Sequence, residues 1–177
     1  MPDLLNKKIT RPIRYSWWSP EMSNIERCKV FSLTSGPLFI EFDTDVCVGF
    51  ASQPSICSVE LWLEKDKENK RSELLSNDKE LFPVYAEDDI YSEEYFGELI
   101  GSELLKYEII KMESPNSLYW ELPREVGIAL YFSNQSMILI SHGLHDNSDD
   151  FSVIKREQID DSILDLLYKA NSGHELF

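Results

Sequence analysis

Glycine is scarce in this chain, with 7 in 177 residues, and none of them builds a phosphate-binding loop. Phosphates need unhindered backbone N–H groups, so the lack of a Gly-rich loop argues against nucleotide-dependent catalysis. G-x-G-x-x-G, G-x-S-x-G and H-E-x-x-H are all missing. No apolar run approaches the ~18 residues of a membrane-spanning helix. The first residues, MPDLLNKKITRPIRY, lack the apolar stretch and small-residue cleavage site of a secretory leader. Cysteine is limited to Cys28, Cys47 and Cys57, each among apolar neighbours, with no C-x-x-C. Three reduced, mostly buried thiols are expected, which fits a cytoplasmic protein.

Positive charge is the other shortage. Lys and Arg number 17 against 32 Asp and Glu, a formal charge of -15. Such a surface repels polyphosphate, so nucleic acid is not an expected partner. It attracts a basic protein and speeds its association. Neither membrane nor cofactor is implied.

What is present is a core: 42% of residues are hydrophobic and 12% aromatic, enough for one packed domain. Residues 1–10 lack a period and read as a disordered end, residues 11–170 as a single α+β domain, and residues 171–177 as a frayed tail. The segment 64–79 is dense in charge and reads as a solvated insertion. In RPIRYSWWSP, alternation puts Ile13, Tyr15 and Trp17 on one face of a strand; one of Trp17 and Trp18 is expected in the core. Cys28–Leu33 alternates well enough to predict a strand. LFIEF, the break Asp43-Thr44-Asp45 and VCVGFAS form a β-hairpin, and the next strand is expected at Ile56–Leu63. Another strand is expected at Leu104–Ile110.

Two helices are expected. The first is N-capped by Ser92, carries Glu93 and Glu94 in its first turn and ends before Gly101. The second is C-terminal, from about Glu157 to Lys169, with Ile159, Ile163, Leu166 and Leu167 at helical spacing. A second hairpin, IALYF-SNQS-MILIS, repeats the form of the first: Phe132 matches Phe42, Ile138 matches Val48 and Ile128 matches Leu38. Two related β-rich units, each closed by a helix, would give this likeness, and so would any two hairpins; either way the fold class is α+β, antiparallel β-hairpins with two helices, one of them C-terminal.

The second hairpin leads into HGLHDNSDDF, which concentrates His142, His145, Asp146, Asp149 and Asp150. An H-x-x-H pair with an aspartate could hold zinc, but a third histidine or cysteine ligand is missing, so no metal is expected. Read from Asp146 as a calcium loop, Ser148, Asp150 and Glu157 fall on ligand positions, but Phe151 stands where the turn requires glycine. A hydrolase based on His142 or His145 with Asp146 lacks a marked nucleophile, since Ser141 merely adjoins His142. What remains is an ordered polar loop suited to contact. A second contact cluster is Glu87, Asp88, Asp89, Tyr91, Glu93, Glu94 and Tyr95, with aromatics for area and carboxylates for steering.

In size, acidity and lack of catalytic motifs, the whole chain resembles the small acidic immunity proteins of bacterial toxin systems. That resemblance implies a non-enzymatic, cytoplasmic inhibitor that binds a basic toxin or nuclease and masks its active surface. The alternative is a hydrolase or metal-dependent enzyme centred on His142, His145 and Asp146.

Overall fold

The computed structural model describes residues 4–63, 77–113, 120–145 and 151–170. Among the described residues nine strands lie in two antiparallel sheets, as alternation without βαβ spacing leads one to expect. The first sheet has the order β4-β3-β2-β1-β5, from β1 (Ile9–Ser16), β2 (Leu38–Phe42), β3 (Cys47–Gln53), β4 (Ser58–Leu63) and β5 (Phe82–Tyr85). The second has the order β6-β7-β8-β9, from β6 (Leu104–Lys111), β7 (Glu125–Phe132), β8 (Met137–His142) and β9 (Phe151–Ile154). Three α-helices are found among the described residues: α1 (Val30–Leu33), α2 (Glu94–Gly97) and the C-terminal α3 (Asp161–Ala170).

The sheets pack face to face around one apolar layer. Leu38, Ile40, Phe42, Val48 and Phe50 of the first sheet meet Ile128, Leu130, Phe132, Ile138 and Ile140 of the second. Ile128, Leu130 and Phe132 of β7 enter this layer. Its odd-numbered Ala129 turns to the opposite face, where Leu139, Ile154, Ile159, Ile163 and Leu167 join it beneath α3. The outer face of the first sheet carries Ile13, Tyr15, Phe39, Cys47 and Leu81, and Trp62 stands edge-on to Phe39 at 5.6 Å.

The two hairpins match beyond their sequence pattern. Phe42 donates its N–H to Val46 O at 2.9 Å, and Phe132 does the same to Ser136 at 3.0 Å. Asp45 and Gln135, at equivalent turn positions, both adopt positive φ, 57° and 68°. Each first strand carries a bulge at the same place: the register shifts between Ile9 and Arg11 and between Leu104 and Lys106. Lys8 and Glu103, one from each unit, then form an antiparallel bridge with each other.

Several sequence expectations are corrected. The N-terminal end is not frayed up to Thr10: Leu4 and Ile9 are buried, and Asn6 N–H bonds to Leu104 O at 2.7 Å. Cys28–Leu33 is not a strand but a 3₁₀ turn (Arg27–Lys29) running into α1. Alternation over six residues does not separate the two, and tertiary contact decides. Val30, Phe31 and Ser32 are all buried, Phe31 against Phe96 at 4.5 Å, and the Thr34 N–H closes the turn on Val30 O at 3.1 Å. The helix expected from Ser92 is one turn, α2, whose N-cap is Glu93; Ser92 is buried. The C-terminal helix is split into a 3₁₀ turn, Arg156–Gln158, and α3. Neither Trp17 nor Trp18 enters the core, being 50% and 68% exposed. Most of the charged insertion, 64–76, and the tail 171–177 lie outside the described residues.

Candidate functional site

The histidine segment is less open than its composition suggests. His142 ends β8 instead of lying in a loop, and it is buried. Its Nδ1 lies 2.9 Å from Ser52 Oγ at the end of β3, so the pair ties one sheet to the other. Ser52 and His142 occupy equivalent positions of the two hairpins, and here the units touch. Ser141, on the opposite face, shares a hydrogen bond of 3.0 Å with Ser152 of β9, which takes its hydroxyl away from His142. His145 is half-buried after the turn at Gly143. Asp146, Asp149 and Asp150 lie outside the described residues. Among the described residues no group of His, Cys, Asp and Glu could hold a metal ion. Sequence reasoning missed Ser52, because a partner 90 positions away leaves no local signal.

Between the sheets lies a second unforeseen group. Arg14 of β1 is fully buried, with its guanidinium 4.1 Å from the centre of the Phe151 ring. It donates to Thr34 O and, at 2.8 Å, to Phe151 O. Nε and Nη1 have no hydrogen-bond partner among the described residues. Burial pulls its pKa down to about 9.

The acidic contact cluster is sorted by the structure into inner and outer members. Asp88 is half-buried and caps a turn, its Oδ1 accepting the N–H groups of Ile90 (2.8 Å) and Tyr91 (2.9 Å). Glu93 accepts from Ser32 Oγ at 3.0 Å and from Gln158 Nε2 at 3.3 Å, so it braces α1 against the Arg156–Gln158 turn. Tyr95 is turned inward against Phe96, with Lys155 Nζ 3.6 Å above its ring, and burial pushes its pKa up. Tyr91 is half-buried against the core. The outward members are Glu87, Asp89 and Glu94, and Glu98 belongs with them although the sequence reading left it out. Exposed Tyr85, Ile90 and Ile100 lie in the same stretch.

Charge is unevenly neutralised. From Glu80 to Leu105 the chain has eight carboxylates (Glu80, Glu87, Asp88, Asp89, Glu93, Glu94, Glu98, Glu103) and no Lys or Arg. None of them makes an ion pair among the described residues. Acids elsewhere do pair: Glu41 with Arg11 (2.9 Å), Glu108 with Lys106 (2.8 Å) and Glu125 with Lys111 (3.1 Å).

On another side, where β4 faces β6 and β7, the sandwich opens into an apolar groove of about 420 Å³. Val59, Leu61, Tyr107, Ile109 and Ile128 line it. Ser58 Oγ donates to Glu125 O across its floor. A polar recess of about 450 Å³ collects Glu41, Asp43 and Asp45, but Glu41 is held by Arg11 and Asp43 accepts the Lys8 N–H at 3.3 Å.

No helix among the described residues is long and apolar enough to cross a membrane. Comparison with protein-family models, curated proteins and solved structures finds no match to this chain.

Proposed function

We propose that the protein is a non-enzymatic binding module of the immunity type, which occupies a basic toxin or nuclease and masks its working surface. The observation that carries this reading is the stretch Glu80–Leu105, where exposed Glu87, Asp89, Glu94 and Glu98 make no ion pair among the described residues while Tyr85 and Ile90 stand among them. Unneutralised carboxylates steer a cationic partner, and desolvated apolar side chains then slow its release. The cytoplasm suits such a partner, and Cys28, Cys47 and Cys57 are free thiols. In the experiment, the basic protein encoded by the reading frame beside its own gene is mixed with the wild type and with E87Q/D89N/E94Q/E98Q. The neutralised variant is expected to associate about tenfold more slowly at low salt, with the difference closing as salt rises. An equal rate would remove this face from the interface.

One contact favours a second reading, a hydrolase in which His142 activates Ser52 across their 2.9 Å contact. The histidine is only 4% exposed, and neither Ser52 nor His142 lines the grooves described above. Abolition of partner neutralisation by S52A, with binding intact, would favour the enzyme; retention of it would leave the contact as a structural tie.

A further inference from the structure

Among the described residues β6 is a free sheet edge, and its sequence is complementary to itself. It is the end strand of the second sheet. Its outward hydrogen-bonding groups follow from the hairpin beside it. Phe132 directs its N–H to β8, so Leu130 and Ile128 do likewise, two and four residues back. Their partners on β6, Tyr107 and Ile109, then point N–H and C=O away from β7 into the open. The N-terminal segment closes this edge before Leu105, because Leu104 exchanges hydrogen bonds with Asn6 (2.7 Å) and Lys7 (3.0 Å). The open part therefore begins at Leu105. Its large apolar residues are uncovered: Leu105 is 48% and Ile109 54% exposed.

Read against a reversed copy centred on Tyr107, Leu105-Lys106-Tyr107-Glu108-Ile109 matches position by position. Leu105 falls opposite Ile109, Lys106 opposite Glu108, and Tyr107 opposite Tyr107. Within one chain Lys106 and Glu108 already pair at 2.8 Å on one face of the strand. Two copies would set four charges in alternation there. On the other face Leu105, Tyr107 and Ile109 of both copies would form one apolar row, continuous with the groove that Tyr107 and Ile109 line. Charge complementarity is thus built into this strand on a chain whose net charge of -15 otherwise opposes self-association.

We propose that the protein forms a twofold dimer by antiparallel pairing of β6 with β6 of a second copy, centred on Tyr107, which joins the two four-stranded sheets into one. The isologous contact closes on itself and leaves no free edge at β6. It is independent of the acidic face and needs no other protein.

Sedimentation equilibrium of the full chain over a range of concentrations tests it, with K106E, E108K and the double exchange K106E/E108K beside the wild type. Each single exchange puts like charges opposite each other twice per dimer and should weaken association about tenfold or more. The double exchange restores the alternation and should recover the dimer. K106E leaves the Tyr131–Glu108 hydrogen bond (2.6 Å) in place, so it gives the result even where E108K disturbs the fold. A wild type that stays monomeric throughout, or a dimer that all three variants leave unchanged, would overturn the proposal. Because only this chain is present, either result leaves the basic-partner reading untouched.

Discussion

Arg14 shows how much a single buried side chain contributes to the joint between the sheets. Its position on β1, between Ile13 and Tyr15, reads as an ordinary outward residue of an alternating strand. That reading fails because both faces of β1 are covered in the folded protein. Two carbonyl partners and the Phe151 ring compensate part of the desolvation of the charge, and the rest appears as a pKa pulled down to about 9. The sign of the pH effect follows. Below about pH 9 the guanidinium is charged in both folded and unfolded chains, and the cost of burying it is fully present. Above that pH the folded chain releases the proton while the unfolded chain keeps it, so this group adds stability as pH rises. Compared with R14M, the wild type should hold a constant stability difference up to about pH 9 and gain relative to the variant beyond it, measured by urea unfolding. A difference that stays flat to about pH 11 would contradict this. Gly127 gives a purely steric case, since a Cβ there would meet Ile140 O and Ser141 of the adjoining strand. G127A is expected to cost about 1–3 kcal/mol in thermal unfolding, and a neutral result would mean that β8 can move aside.

Elements were legible where the pattern was long and local. The two hairpins, β6 and the α+β class could be read from alternation and turn residues, because period-2 burial on a sheet face is imposed along the strand itself. Cys28–Leu33 is a helical turn instead of a strand and the helix from Ser92 is only one turn long, because six to nine residues are too few to fix a period and contact with the core decides. The equivalence of the hairpins reaches to backbone detail that no residue type announces: Gln135 at φ 68° and Asp45 at φ 57° occupy a conformation that suits glycine. Q135G should therefore stabilise the chain by about 0.5–1 kcal/mol, and D45G by less, because Asp tolerates the left-handed region better than Gln. Destabilisation by both exchanges would show that these turns are held by side-chain contacts. Of the contact residues, the outward acids were readable from composition. The inward roles of Glu93, Tyr95 and His142 were not, since each depends on partners that only the fold brings near.

At the scale of the whole molecule, unpaired and paired carboxylates are kept apart among the described residues. The Glu80–Leu105 stretch holds carboxylates without cations, while β6 and β7 place Lys106 and Lys111 beside Glu108 and Glu125. The acidic stretch suits a cationic partner and the paired edge suits a second copy. Salt separates the two, because screening weakens attraction to a basic protein and relieves repulsion between chains of charge -15. The most direct test of the acidic face is the association rate with the basic protein encoded beside its gene, measured at low and high salt for the wild type and E87Q/D89N/E94Q/E98Q. The expected result is a wild-type rate that falls steeply with salt and an about tenfold slower, nearly salt-independent rate for the variant. Equal rates and equal salt slopes for the two proteins, or no basic protein encoded there, would contradict it.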